Sequence, residues 1–72
     1  MKFINLIATI LEVKKEKIKL DHNINLYNWD SMAKINLITA INKKYKKNID
    51  VNKFQKIKTI KDLNSLIDKI TK

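Results

Sequence analysis

The sequence contains no cysteine, no glycine and no proline. Without cysteine, neither a disulfide framework nor a cysteine-ligated metal site is available. One histidine and two glutamates also argue against a metal site built from side chains alone. The absence of glycine and proline removes the usual turn residues, but it also removes the usual helix breakers. Regular apolar spacing in this chain can therefore continue through whole helices.

Length and hydropathy set further limits. A chain of 72 residues makes one domain, here residues 1–72, and it buries only roughly 60% of the surface that its unfolded form exposes. This size leaves little room for a deep catalytic cleft. No apolar run approaches the ~20 residues that cross a bilayer, and the amphipathic stretch MKFINLIATILEV is unlike a signal peptide. We therefore expect a cytoplasmic protein with no stable membrane association.

Charge is the most unusual global property. The chain has 16 basic and seven acidic residues, a net charge of +9, and every basic residue is lysine. Such an excess favours a polyanionic partner such as nucleic acid, anionic lipid or an acidic protein. The missing arginine argues against sequence-specific DNA recognition, because bidentate guanine contacts are mainly made by arginine. Isoleucine, lysine and asparagine all have A/T-rich codons, so genomic base composition is an equally open explanation.

Apolar residues recur at helical spacing near the start of the chain, which predicts a first helix over about residues 2–13. Its apolar stripe consists of Phe3, Ile4, Ile7, Ile10 and Leu11. A long loop rich in Asp and Asn follows, over about residues 20–29. Four of its residues are expected to hold it against the core: Ile24, Leu26, Tyr27 and Trp29. Loops of this length in so small a domain are usually functional.

A second helix is predicted from Ser31 to about Lys47, with Asn48 as a left-handed cap in place of glycine. Its inward residues are expected to be Ile35, Ile38, Ile41 and Tyr45.

The rest of the chain predicts two further helical segments. A short turn over about Val51–Lys56 is expected to be capped by Asp50 and to bury Phe54. The last helix opens with Thr59-x-x-Asp62, a weaker relative of the capping box. Its apolar stripe is Ile60, Leu63, Ile67 and Ile70. The predicted fold class is therefore all-α: a small bundle of three longer helices and one short helix, with a long first loop.

The tripeptide Asp30-Ser31-Met32 stands where the second helix begins, and local chemistry allows two interpretations of its serine. Asp and Ser are both preferred N-caps, so either could be present only to hold the helix. A serine in the first turn also keeps its hydroxyl outside the helix cylinder, where an enzyme can reach it. The two roles can be shared, with Asp30 as the cap and Ser31 as an attachment point.

From Trp29 to Ile70 the sequence resembles the acyl carrier protein family, which includes peptidyl and aminoacyl carriers. In this family, Asp-Ser-Leu or Asp-Ser-Met begins an apolar second helix that ends in an aromatic residue, and Thr-Ile/Val-x-Asp-Leu opens the last helix. The corresponding residues here are Asp30-Ser31-Met32, Tyr45, Asn48-Ile49, Ile57 and Thr59-Ile60-Lys61-Asp62-Leu63. The register holds without a gap through these forty-odd residues.

The resemblance implies a cofactor and a set of enzymes. Ser31 receives 4′-phosphopantetheine from coenzyme A, and a separate phosphopantetheinyl transferase, which recognises Asp30, attaches it. The thiol of the arm then carries an acyl or aminoacyl group as a thioester, so the chain needs no cysteine. The protein is then a monomeric carrier and not an enzyme, in agreement with its lack of a nucleophile–base pair. Its further partners are an acyl- or aminoacyl-loading ligase and a downstream transferase.

The resemblance also implies a partner surface and a cargo pocket. Partner-binding residues lie on the second helix: Met32, Lys34, Asn36, Lys43 and Lys44. Positions that line an acyl cavity in the family are here Ile41, Ile49, Phe54, Ile57 and Leu63. Phe54 and Leu63 are bulkier than the small residues often found there, and more side-chain volume leaves less cavity in a close-packed interior. We therefore expect a short or polar cargo.

The charge of the second helix departs from the family. Fatty-acid carriers commonly present a row of acids there, whereas this helix has lysines at positions 34, 43, 44, 46 and 47 and no carboxylate after Asp30. Standard partners are then repelled or not steered. This pattern favours a specialised biosynthetic pathway whose enzymes have acidic or largely apolar docking faces.

The alternative function, from a different class, is a small basic helical protein that binds nucleic acid non-specifically through lysine–phosphate contacts. The scatter of lysines over all the helices and the absence of interleaved aromatic platforms count against it. We therefore expect no nucleic-acid partner.

Overall fold

The computed structural model describes residues 2–71, and this part of the chain is helical with no strand. Three α-helices span Ile4–Leu11 (α1), Ser31–Tyr45 (α2) and Ile60–Thr71 (α3). Three short 3₁₀ turns lie between them, at Lys15–Lys17, Ile24–Leu26 and Val51–Phe54. The predicted all-α bundle is confirmed, with the short third helix taking the 3₁₀ form. The expected domain bounds, residues 1 and 72, lie outside the described residues.

The first helix is shorter than predicted because its end is set by a left-handed residue. Glu12 has φ 58° and ψ 42°, and its N–H donates to the carbonyls of Ala8 and Thr9. The N–H of Val13 also donates to the carbonyl of Ala8, at 3.1 Å, and these bonds close the helix C-terminus. Phe3, Ile7 and Leu11 of the predicted stripe are buried, while its other members, Ile4 and Ile10, are half-buried.

The second helix also ends earlier than predicted, and Asn48 is not its cap. Lys46 takes the left-handed conformation, with φ 55°, and its N–H donates to the carbonyl of Asn42 at 2.8 Å. Asn48 instead accepts a hydrogen bond from the side-chain amide of Asn42, at 2.6 Å. In a chain without glycine, both helix ends that need a positive φ use a charged residue, at a steric cost that glycine does not carry.

The prediction that Ile35 points inward is wrong, because this side chain is 52% exposed. The buried residues of α2 are Ala33, Leu37 and Ile41, which repeat every four positions. Ile35 lies two residues from both Ala33 and Leu37, about 200° around the helix from each, and therefore faces away from the core. The other predicted inward residues, Ile38 and Tyr45, pack against the core while half-buried.

Leu26 in the first loop is also misplaced by the prediction, since it is 70% exposed. Ile24 is buried, and Tyr27 and Trp29 pack against the core as expected. The 3₁₀ turn Ile24–Leu26 has three residues per turn, so a residue two positions after an inward one points elsewhere.

The last two predicted segments are confirmed with their caps. The Asp50 carboxylate accepts from the N–H of Asn52 at 2.9 Å, and the turn after it buries Phe54. At the start of α3, the hydroxyl of Thr59 accepts from the N–H of Asp62, and the Asp62 carboxylate accepts from the N–H of Thr59, each at 3.2 Å. This reciprocal pair is a capping box. The inward stripe of α3 is Ile60, Leu63 and Ile67, with Ile70 half-buried.

The helices pack around one core, in which α1 and α2 run antiparallel. The Phe3 ring at the start of α1 contacts the Tyr45 ring at the end of α2, with centroids 6.5 Å apart. The long first loop is held to α3, since Ile60 N–H donates to the carbonyl of His22 at 3.0 Å and Lys61 N–H to that of Leu20 at 2.9 Å. The start of α2, next to the end of α1, is therefore left at one end of the bundle. No helix within residues 2–71 is long and apolar enough to span a membrane.

Candidate functional site at the start of the second helix

The cap of α2 is supplied by Asp30. Its backbone is extended, with φ −103° and ψ −174°, and its carboxylate accepts a hydrogen bond from the N–H of Ala33 at 2.8 Å. Its carbonyl accepts from the N–H of Lys34 at 3.1 Å, which begins the helical hydrogen bonds. These contacts are the defining features of an N-cap residue.

Ser31 is the first residue inside α2, and it is exposed. Because Asp30 provides the cap, the Ser31 hydroxyl is left without that task. Amides of the first turn have no partners within their own helix, and the positive end of the helix dipole lies beside them. A group attached to this hydroxyl therefore starts in solvent, next to the N-terminal end of a 15-residue helix.

The loop before Ser31 is held in place by two aromatic side chains. The half-buried Trp29 ring meets the Phe54 ring edge-to-face, with centroids 5.7 Å apart and an interplanar angle of 77°. The Tyr27 hydroxyl donates to the carbonyl of Lys17 at 3.1 Å and lies 2.7 Å from Nδ1 of His22. His22 therefore helps to fix the loop in the structure.

A groove of about 150 Å³ lies beside Ser31, between the end of α1 and the start of α2. Both neighbours of the serine, Asp30 and Met32, line it. Its other lining residues are Ile10 and Glu12 from α1 and its cap, Asn28 from the loop, and Ala33 and Asn36 from α2. Sequence patterning did not reveal this groove, because its walls come from three separate segments.

The sequence matches the family described as phosphopantetheine attachment site over residues 2–67. The chain belongs to this family. The resemblance to acyl carrier proteins is thereby confirmed, and the match covers the loop, α1 and α2 together with most of α3. No curated protein and no solved structure gave a match.

Members of this family are non-catalytic carriers that attach 4′-phosphopantetheine covalently, through a phosphopantetheinyl transferase, and interact with biosynthetic enzymes. The start of α2 fits such a group. A solvent-exposed hydroxyl stands beside first-turn amides, and phosphate at a helix N-terminus is favoured by the amides and by the dipole, by about 0.3–1 kcal/mol at an exposed position.

The five predicted partner-binding residues of this carrier do not form one cluster. Met32 and Asn36 are exposed and line the groove beside Ser31. Lys34 is half-buried, with its Nζ 6.0 Å from the centroid of the Trp29 ring. Lys43 and Lys44 are exposed in the last turn of α2, about 18 Å along the helix axis from Ser31.

Ile35 is a surface residue of the carrier that sequence reasoning missed. It lies three positions after Met32, which is 62% exposed, so the two apolar side chains are neighbours on the outer face of α2. The four-residue repeat Ala33–Leu37–Ile41 is the signal in the sequence that could have found it.

The five predicted cargo-pocket residues of the carrier come together in the core. Ile41, Phe54 and Leu63 are at most 1% exposed, and Ile49 and Ile57 pack against the core while half-buried. None of the five lines the groove beside Ser31. The ring of Phe54 contacts Trp29 from inside this cluster.

Proposed function

We propose that this protein carries an acyl or aminoacyl group as a thioester on 4′-phosphopantetheine attached to Ser31, in a specialised biosynthetic pathway. The observation that carries the proposal is the division of roles at the start of α2. Asp30 caps the helix with its carboxylate, and the exposed hydroxyl next to it lies within the part of the chain that matches the family.

In this proposal the protein positions the attachment group and keeps it accessible to enzymes, while the reactive group belongs to the arm. When bound, the arm supplies a terminal thiol that holds the cargo as a thioester. Ser31 supplies the attachment oxygen, and the first turn of α2 receives the phosphate. The Asp30 carboxylate, exposed at the surface, is the group that we assign to recognition by the transferase. Trp29 and Tyr27 support this arrangement by holding the preceding loop.

The lysines of α2 support the proposal that the partners of this protein differ in surface charge from the partners of acidic carriers. Lys43 and Lys44 are exposed in its last turn, and the chain as a whole has a net charge of +9. Complementary charge sets the rate of encounter and the choice of partner. We assign Met32, Lys34, Asn36, Lys43 and Lys44 to contacts with a loading ligase and a downstream transferase whose docking faces are acidic or apolar.

The packing of the core supports a short or polar cargo. The positions that line an acyl cavity in similar carriers are here filled by side chains, and two of them, Phe54 and Leu63, are at most 1% exposed. Interiors packed to this degree have few voids larger than a water molecule. Insertion of a long acyl chain would require these side chains to move apart.

Phosphopantetheinylation tests the proposal directly. The protein is incubated with coenzyme A, Mg²⁺ and a broad-specificity phosphopantetheinyl transferase, and its intact mass is measured. We expect one arm on the native protein and none on Ser31→Ala. Ser65→Ala is the matched control, because Ser65 is the other serine of the chain and is exposed on α3. Absence of addition, together with salt-sensitive binding to DNA or RNA, would instead favour the nucleic-acid alternative.

The same reaction examines the cargo when acetyl-coenzyme A and tetradecanoyl-coenzyme A replace coenzyme A. If the cargo stays outside the core, the midpoint temperature of thermal unfolding will not rise with the length of the acyl chain. A clear rise for the long chain would contradict the assignment of short or polar cargo, because a ligand buried only in the native state stabilises it.

A further inference from the structure

The groove beside Ser31 has a mixed lining that attachment of the arm to the hydroxyl does not itself require. One part is apolar and consists of Ile10, Met32 and Ala33. The other part is lined by two asparagines, Asn28 and Asn36, and two acidic residues, Glu12 and Asp30. The groove therefore suits a group that has both methyl groups and hydrogen-bonding atoms.

The charge of the groove runs against that of the chain. None of the lysines within residues 2–71 lines it, although lysines supply the +9 net charge of the protein. The nearest lysine of α2 in sequence, Lys34, has its Nζ over the Trp29 ring instead. Two carboxylates repel a phosphate and attract hydrogen-bond donors, so the groove is suited to a neutral group with O–H and N–H donors.

The polar side chains of the groove are available for a ligand. Among residues 2–71, neither the Asn28 nor the Asn36 side chain has a hydrogen-bond partner. Each amide can donate and accept. The Asp30 carboxylate already accepts from Ala33 N–H with one oxygen and retains a second oxygen.

We propose that this groove binds the pantoyl part of the phosphopantetheine arm, with its two methyl groups against Ile10 and Met32 and its hydroxyl and first amide at the polar side chains. The inference rests on the proposed attachment at Ser31. Within the arm, the pantoyl part follows the phosphate directly, and the groove begins at both neighbours of the serine. The phosphate stays outside the groove, beside the first turn of α2, where the amides of that turn and the positive end of the helix dipole favour it.

The size of the groove limits how much of the arm it holds. The groove has a volume of about 150 Å³. This is room for one section of the arm, such as the pantoyl part, and not for the whole arm. The thiol end therefore remains outside the groove, and binding at the base of the arm reduces its conformational freedom without shielding the cargo.

Nuclear magnetic resonance of the modified protein tests this inference. Apo and modified forms are compared after intact mass has established complete addition of the arm. We expect nuclear Overhauser contacts between the pantoyl methyl groups and the methyl groups of Ile10 and Met32. We also expect shifts of the side-chain amide signals of Asn28 and Asn36. Contacts to Ile10 are the decisive readout, because it is on a different helix from the attachment site.

Two substitutions sharpen the test. Asn36→Ala removes a side-chain amide and Glu12→Gln removes a negative charge, while both leave the Asp30 cap in place, and we expect weaker or lost contacts between the arm and Ile10. Asn25→Ala is the matched control, since Asn25 is exposed on the same loop as Asn28 but does not line the groove. It should leave the contacts unchanged.

The outcomes separate this inference from the proposed function. Addition of the arm without contacts to Ile10, with shift changes confined to residues next to Ser31, would overturn the groove assignment and leave the carrier function intact. If the arm contacts Ile10 equally in Asn36→Ala, in Glu12→Gln and in the protein without substitutions, the polar lining has no role in binding it. Failure of the mass to increase would refute both proposals.

Discussion

At the start of α2, two adjacent residues both belong to the types that cap helices, and only one of them does so. The carboxylate of Asp30 reaches the N–H of Ala33 at 2.8 Å, while Ser31 occupies the first helical position with its side chain at the surface. A shift of one residue in the start of the helix would make the serine the cap and turn its hydroxyl towards the backbone. The position of the cap therefore determines whether residue 31 is accessible to a modifying enzyme.

Substitution of Asp30 separates capping from recognition by the transferase. Asn is as good an N-cap as Asp, whereas Ala costs roughly 0.5–2 kcal/mol at a cap position. We therefore expect Asp30→Asn to leave the free energy of unfolding in urea nearly unchanged and Asp30→Ala to lower it by about 1 kcal/mol. If the transferase reads the carboxylate, both variants will be modified slowly. Normal modification of Asp30→Asn would show that capping, and not charge, is the contribution of this residue.

The residues that sequence reasoning misplaced share a physical cause. Ile35 was assigned to the core from its spacing on the second helix, and Leu26 because it is an apolar residue of the loop, yet they are 52% and 70% exposed. Spacing restricts which residues share a face, but the rotation of a helix about its axis is decided by the elements packed against it. Asn48 was chosen as a cap from its residue type, whereas the helix is capped two residues earlier, by Lys46. Cap position depends on where tertiary contacts stop supporting the helix.

At the scale of elements, the termini that carry local signals were predicted best. Asp50 before the third 3₁₀ turn and Thr59 with Asp62 at the start of α3 perform the capping that their spacing indicates. The attachment of the first loop to α3 could not be predicted, because it depends on backbone bonds such as Ile24 N–H to the carbonyl of Lys58, at 2.8 Å. Backbone groups are the same in every residue, so sequence does not mark such pairs.

The cap of α3 makes stability depend on pH. Backbone N–H groups of Lys58 and Thr59 donate to the Asp62 carboxylate, at 3.0 and 3.2 Å, and hold the pKa of Asp62 below its ordinary value. The charged form is thus favoured in the folded state. Its contribution to stability is complete above the unfolded pKa of about 3.9 and is lost as pH falls through the lower pKa of the folded protein.

Comparison with Asp62→Asn measures this contribution. At pH 5 to 7 we expect the protein without substitutions to have a higher free energy of unfolding than Asp62→Asn. We expect the difference between the two free energies to shrink as the pH falls below about 3.9. Urea unfolding at several pH values gives the two curves. Asp21→Asn makes the same change in net charge at another exposed position and controls for it. A difference that stays constant down to pH 2 would contradict the hydrogen-bonded carboxylate as its source.

For the whole molecule, charge is unevenly placed relative to Ser31, the proposed attachment residue. Lys43, Lys44, Lys46 and Lys47 follow one another at the end of α2 that is remote from Ser31. The start of α1 lies at the same end, since Phe3 contacts Tyr45, and Lys2 there is paired with Asp68 at 3.1 Å. The acidic residues Asp30 and Glu12 line the groove at the opposite end. Composition alone predicts the net charge, but it does not predict that lysines and acidic residues lie at opposite ends of α2.

Charge reversal at the end of α2 tests whether the lysines guide partners or only reflect composition. If an acidic docking face is steered by them, Lys43→Glu combined with Lys44→Glu will slow loading by the ligase that we propose as a partner by about tenfold or more at low salt. The difference will narrow at high ionic strength, because exposed charges are screened over ~8 Å at 0.15 M. Loading rates across a salt series provide the measurement.

Two further variants make the result of that charge reversal specific. Lys19→Glu combined with Lys61→Glu changes the net charge equally at exposed positions near the first loop, away from the end of α2, and should reduce the rate much less. Glutamate at a helix C-terminus is itself unfavourable by about 0.3–1 kcal/mol, so Lys43→Gln with Lys44→Gln separates lost attraction from lost stability.

Equal loading rates for both reversed pairs would mean that only the total charge of the protein matters. Unchanged rates for all variants would assign the lysines to composition and leave partner choice to the apolar surface of Met32 and Ile35.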